Sequence, residues 1–255
     1  MALQGFRDVL DAAVSLVFPR VCLSCGRTLL RSERCLCEEC MQDLPRCRFA
    51  LQRHNPMSDK FNARFDSDTY EPFSYAAALF FYPKSTSDDS EDVHYDRITK
   101  AIKYNANFEA ASLFSSLLGE ELASSPLFSD VDMVVPVPLH FLRHWKRGYN
   151  QAELIARCVA SRLGCELCSG ILKRRRRTHS QATLPSERKA SNVKGAFVLR
   201  NTKRDQELKQ PRHILLIDDV FTSGSTLDEC RRALRSRYGV QVRISIATLA
   251  FVGAV

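Results

Sequence analysis

The stretch HILLIDDVFTSGSTLDEC, His213 to Cys230, constrains this chain more than any other. Its apolar start, HILLI, reads as a strand buried on both faces, the kind found inside parallel sheets. Two adjacent acids, Asp218 and Asp219, follow it, and then a loop of small hydroxyl residues around Gly224. A helical pattern, TLDECRRALRSRYG, comes next, opened by Thr226 and Glu229 and closed by Gly239.

The loop Thr222-Ser223-Gly224-Ser225-Thr226 has the chemistry of an anion site. Glycine permits a turn that other residues resist, and N–H groups and hydroxyls at a helix N-terminus can surround a phosphate. It is not a nucleotide P-loop, because no Gly-Lys-Ser/Thr follows and the lysine is absent. Asp218 and Asp219 would repel a bare phosphate. They suit a ligand that offers hydroxyls on one side and phosphate on the other, as a ribose 5-phosphate does, with Mg²⁺ able to share the ribose oxygens. The plainer alternative is an ordinary strand-to-helix turn flanked by polar residues.

The pattern around this stretch alternates strand and helix. A strand is expected at Tyr75–Phe81, and a helix over Ile98–Leu122 with a break near Tyr104–Asn107. DMVVPVPL, Asp132–Leu139, reads as a strand ending in prolines. NQAELIARCVASRLG reads as a helix with Asn150 and Glu153 as a capping box and Gly164 as its stop, and VQVRISIATLA as an alternating strand. This is α/β logic with a parallel sheet, in which ligands sit at the carboxyl ends of strands. Residues 52–72 are polar and poor in pattern, and KSTSDDSED, Lys84–Asp92, reads as a solvated acidic loop.

Six of the ten cysteines fall between Cys22 and Cys47. Cys22-Leu-Ser-Cys25 and Cys37-Glu-Glu-Cys40 form two C-x2-C pairs, the spacing that completes a tetrahedral zinc site. So short a segment buries little core, and the ion would supply folding energy. Cys35 could compete with Cys37, and Cys47 stands outside the pairs. Residues 1–20 are expected to form an amphipathic helix, since Phe6, Val9, Leu10, Ala13, Val14, Val17 and Phe18 recur at helical spacing among charged residues. No segment has the length of a membrane span, so a soluble, cytoplasmic protein is expected. The net charge of +8 favours anionic partners without choosing among them.

The whole stretch from His213 resembles the phosphoribosyl pyrophosphate (PRPP) motif of type I phosphoribosyltransferases: apolar strand, Asp-Asp, Val-aromatic, then Thr-Ser-Gly-Ser-Thr. VPVPLHFLRHWKRGYNQAELIA, RTHSQATLPSERKASNVKGAF and the cysteine knot before the domain resemble the ComF family of phosphoribosyltransferase-like proteins, from about Val21 to Ala250. The resemblance implies a zinc ribbon within residues 1–50, a polar linker over 51–72, and a type I phosphoribosyltransferase fold over 73–255.

It also implies residue roles. Asp218, Asp219 and Thr222, Ser223, Gly224, Ser225 and Thr226 would bind PRPP, with Val137 in the Pro136–Pro138 loop facing pyrophosphate. Arg147 would pair with pyrophosphate oxygens, Arg143 less directly. A mobile loop would carry Arg177, Thr178, Gln181, Arg188 and Asn192. Where catalysis is retained, ribose 5-phosphate passes to an acceptor that the sequence does not name, and pyrophosphate leaves. The second reading is a non-catalytic protein that handles single-stranded DNA or joins a DNA-uptake machinery, with the basic run Lys173–Arg176 as a contact surface.

Overall fold

The computed structural model describes residues 19–65, 70–82, 94–139, 148–174, 195–200 and 210–253. The expected N-terminal helix, the acidic loop, Arg143, Arg147 and the loop carrying Arg177, Thr178, Gln181, Arg188 and Asn192 lie outside them.

A five-stranded, all-parallel sheet forms the centre. Its strands are β1 (Ala76–Tyr82), β2 (Met133–Pro136), β3 (Glu166–Leu167), β6 (His213–Phe221) and β7 (Arg243–Val252), in the order β1-β7-β6-β2-β3. Two short strands, β4 (Leu172–Arg174) and β5 (Phe197–Leu199), pair antiparallel beside it. The helices are α1 (Glu38–Gln42), α2 (Pro56–Asn62), α3 (Asp96–Tyr104), α4 (Phe108–Ala123), α5 (Gln151–Leu163) and α6 (Ser225–Tyr238). The expected long helix is thus two, broken where the sequence suggested. Asn107 caps the second by accepting from the Ala110 N–H.

β6 is central, and its alternate residues go to opposite faces. Leu215 and Ile217 join one core with Val134, Leu249, Ile155 and Val159 of α5 and Phe114 of α4. Ile214 and Leu216 join the other with Met133, Ile246, Leu227 and Leu234 of α6. From β2 the chain moves outward through α5 to β3, and from β6 it moves the other way through α6 to β7. The sheet therefore reverses its winding between β2 and β6, and a crevice opens at their carboxyl ends. Pairing between them stops at Pro136↔Ile217, while β6 stays paired to β7 as far as Phe221↔Phe251. Asp218 and Asp219 follow directly on the open side.

Three local readings need correction. α5 keeps its Asn150 cap, accepting from the Ala152 N–H, but Glu153 faces Arg157 at 3.6 Å. α6 starts at Ser225 after Gly224 with no side-chain cap, and Glu229 accepts from the Gly195 N–H at 2.7 Å. β7 is buried on both faces rather than one. Its polar residues survive there because each finds a partner: Ser245 Oγ accepts from the Tyr75 N–H at 3.0 Å and lies 2.7 Å from His213 Nε2, whose Nδ1 is 2.6 Å from Asp130. This Ser-His-Asp set is structural. Ser245 and His213 are fully buried at the end of the sheet opposite the crevice.

The stretch read as a polar linker begins with an ordered element. α2 buries Met57 and Phe61 completely. Asn55 caps it, accepting from Met57 and Ser58 N–H groups, and its amide donates to Gln52 and Ala76 carbonyls at 3.0 Å each. With the Phe49 carbonyl at 3.4 Å, five hydrogen-bonding partners on one buried side chain fix α2 against β1. Asn55→Ala should cost about 2–4 kcal/mol, from the lost cap and the carbonyls left without donors. A fall in the denaturant midpoint at unchanged slope is the expected measurement.

Candidate functional site

The two acids point to opposite faces of the sheet. Asp219 follows Leu215 and Ile217 toward α5 and α3, where it is 5% exposed. It accepts from Gln151 Nε2 at 3.0 Å and lies 3.1 Å from Lys103 Nζ. Gln151 opens α5 and Lys103 ends α3, so two helices converge on one carboxylate. Asp218 follows Ile214 and Leu216 toward α6 and the β4–β5 pair, and stays partly exposed. Its Oδ1 accepts from the Asp219 N–H at 2.9 Å. Burial of its carboxyl, then the charge of Asp219, raise it to about 7, against the pull of that N–H, Lys103 and Arg174. Arg174 is the second residue of the basic run, and its guanidinium lies 5.2 Å over Phe197.

The loop beyond the acids turns at Gly224, whose φ of 75° is in the left-handed region. A Cβ there would sit 2.9 Å from the Phe221 ring. Glycine is therefore required by the turn and by the ring packed beneath it. Ser223 and Ser225 hydroxyls are 3.0 Å apart, and Ser225 is buried while Thr222 is exposed. Thr226 lies in the first turn of α6. Val137 is set differently from a ligand-facing group. Its N–H donates to Ile217 O at 2.8 Å, its carbonyl accepts from Asn150, and its side chain is buried.

Three side chains at this site were not singled out from sequence. Lys103 ends a helix whose pattern shows only an amphipathic face. Lys60 Nζ donates to Thr222 O at 2.7 Å, and Arg64 donates to Ser223 O at 3.0 Å and Ser225 Oγ at 3.1 Å. The last two come from about 160 residues away, in a segment without periodicity.

Residues 149–254 match the family model described as the phosphoribosyl transferase domain. Competence protein F of Haemophilus influenzae is 37% identical over 110 residues, covering 43% of this chain and 46% of that one. DNA utilization protein YhgH of Escherichia coli is 33% identical over 147 residues, 56% of this chain and 62% of that one. Competence protein ComFC of Streptococcus pneumoniae is 30% identical over 132 residues, 52% and 53%. Over about half of its length the chain is similar to these competence and DNA utilization proteins, and within that stretch it matches the phosphoribosyl transferase domain. The matches span about half to three-fifths of these relatives' own lengths. The sheet and crevice are those of a type I phosphoribosyltransferase fold, preceded by a cysteine ribbon.

In that ribbon the thiols of Cys22, Cys25, Cys37 and Cys40 lie within 4.8 Å of one another. The first pair sits in a turn closed by Gly26, whose N–H donates to Cys22 O at 2.9 Å. The second pair flanks the start of α1. The Cys37 N–H donates to Cys22 Sγ at 3.4 Å. Burial opposes ionisation of Cys22, but N–H groups of Cys25, Cys37 and Ser24 outweigh it and bring the thiol down to about 7. Four soft thiols converging on one point, one already biased to thiolate, could hold zinc. Cys35 and Cys47 stand apart. Both are buried in the core, and burial pushes their thiols up to about 11 and about 12. Cys35 is not among the four thiols that converge.

Two outcomes are expected. Metal analysis of the purified protein should find about one zinc per chain, lost on replacing Cys25 and Cys40 with serine. Second, Asp218 binds its proton more tightly folded than unfolded, where its value is near 3.8. Between about pH 4 and 7 the folded state holds the extra proton, so this group's contribution to stability falls as pH rises. Asp218→Asn should raise the unfolding midpoint at pH 8 and leave it nearly unchanged at pH 4. A midpoint at pH 8 equal to or below wild type contradicts this.

Proposed function

We propose that the crevice between β2 and β6 binds PRPP with Mg²⁺. The Thr222–Thr226 loop holds the 5-phosphate, and the carboxylates past the end of β2 meet the ribose hydroxyls. The observation that carries this reading is the division of labour between the two acids at an open strand edge. Asp219 is paired with Lys103 at 3.1 Å and accepts from Gln151 at 3.0 Å. Asp218 remains partly exposed, with its Oδ1 accepting from the Asp219 N–H. A ribose lying along the edge reaches both, and Mg²⁺ would share its oxygens and offset the charge of the leaving pyrophosphate. Such a site transfers ribose 5-phosphate by positioning and charge neutralisation rather than through an acid or base on the acceptor. Arg147 and the loop carrying Arg177, Thr178, Gln181, Arg188 and Asn192 complete the reading from the family pattern.

A second reading concerns the setting of this site. Relatives carry the names competence protein and DNA utilization protein. We infer that the protein works in DNA uptake or use, in contact with single-stranded DNA. The net charge of +8 and the run Lys173–Arg177 support it. No helix among the described residues is long and apolar enough to cross a membrane.

Calorimetric titration tests both. At pH 8 with Mg²⁺, Asp218→Asn loses a charge-assisted hydrogen bond of roughly 1.5–3 kcal/mol. PRPP affinity should fall about ten- to a hundredfold, while inorganic phosphate affinity holds or rises. Equal PRPP binding by the variant and wild type would remove the carboxylates from the ligand's first contacts. For DNA, affinity for a single-stranded oligonucleotide should fall steeply with salt, and replacing Arg174–Arg177 with alanine should flatten that slope. An unchanged slope moves the contact elsewhere.

A further inference from the structure

The anion loop carries no cation of its own between Thr222 and Thr226, yet the fold brings two to it. Lys60 Nζ donates to Thr222 O at 2.7 Å. The Arg64 guanidinium spans the next two residues, with Nη1 on Ser223 O at 3.0 Å and Nη2 on Ser225 Oγ at 3.1 Å. Both sit on one side of α2 or just beyond it, and Phe61 between them packs 3.6 Å from the Gly224 Cβ position. α2 is itself fixed to the core through Asn55, Met57 and Phe61. The loop is therefore gripped by a rigid element, not by a flexible arm.

We propose that Lys60 and Arg64 are the cationic half of the phosphate site. They position the loop by binding its outward carbonyls and supply the positive charge that its own sequence lacks. The ligand class is a phosphate monoester dianion, and this assignment rests on the reading of the loop as a 5-phosphate site.

The chemistry fits in two ways. A loop that receives an anion must turn its N–H groups inward and its carbonyls outward. Donors on Thr222 O and Ser223 O stabilise that arrangement and oppose its inversion. The loop is also preceded by Asp218 and Asp219, and phosphate needs compensation for that field. Asp228 faces the Nε side of Arg64 at 3.7 Å, but it also accepts from Arg231 at 2.8 Å and Arg232 at 3.2 Å, so Arg64 keeps most of its charge for the loop. Arg231 and Arg235 in turn meet Glu71 at 2.6 and 2.9 Å. Four arginines, Arg64, Arg231, Arg232 and Arg235, thus face two acids, Asp228 and Glu71, beside α6.

The test uses the full chain with ribose 5-phosphate and inorganic phosphate as probes. Lys60→Met and Arg64→Met should each weaken both about tenfold, and the double variant about a hundredfold. Lys60→Arg should restore wild-type affinity, and Arg64→Lys should restore part of it, because lysine returns the charge without the fork. A purely structural role predicts no rescue and a loss that follows the unfolding midpoint. Lys60→Met and Arg64→Met binding ribose 5-phosphate within twofold of wild type would overturn the proposal alone. A wild-type protein that binds neither probe would overturn both the proposal and the phosphate reading beneath it.

Discussion

Two neighbouring carboxylates at the end of a strand buried on both faces cannot both be charged without compensation. Most of the arrangement around the crevice answers that constraint. Strand geometry separates the acids by sending them to opposite faces. On one face two helices end at Asp219, bringing an ammonium and an amide to it. On the other, Asp218 is left with a backbone N–H and more distant cations, and its proton stays until near neutrality. The sheet supplies the backbone for this, since β2 stops one residue short of the acids and β7 does not. A pair that looks symmetric in the chain is asymmetric in space.

The same logic explains why so basic a chain places its charge in patches. Around α6, arginines and Glu71 form a network in which Arg231 is almost wholly buried and lies 4.1 Å over the Phe65 ring. Buried charges of this kind persist only when paired and hydrogen-bonded. Here they tie α6 to the segment before β1 and raise positive potential where the loop turns. At the ribbon, by contrast, the unit is held by thiols and by contacts to the larger domain. Ser24 O accepts from Arg97 and the His94 N–H, and Cys40 O accepts from the Tyr95 hydroxyl. Cys22, Leu36 and Leu44 share one core with Leu79, Ile98 and Phe114.

Much of this was legible in the sequence, for identifiable reasons. HILLI could only be a central strand, because an unbroken apolar run needs cover on both faces. The Gly224 turn and the C-x2-C pairs are local patterns whose geometry follows from their spacing. The break between α3 and α4 showed near Tyr104–Asn107 for the same reason. What escaped had no local signature. α2 is seven residues long, with two buried apolar side chains, too few to show a period. Lys60, Arg64 and Lys103 look like ordinary surface cations until the fold sets them against Thr222, Ser223 and Asp219. β7 looked one-sided because Ser245 and Thr248 are polar, and only the partners across the sheet show that they are buried and satisfied.

The segment after the ribbon also lies along β1. Cys47 N–H donates to Leu79 O, Phe81 N–H donates to Pro45 O, and Arg46 bridges Phe80 antiparallel to the strand. On its other side, among the described residues, β1 pairs with β7, Ala76 opposite Ile246. β1 therefore waits for a partner that lies far later in the chain. During synthesis its outer edge can be occupied by Pro45–Cys47, a few dozen residues away, long before its inner partner exists. A long-range pairing of this kind is slow to form, and an uncovered apolar edge in the interval invites association with other chains. The ribbon's short tail thus covers one edge of the strand it borders.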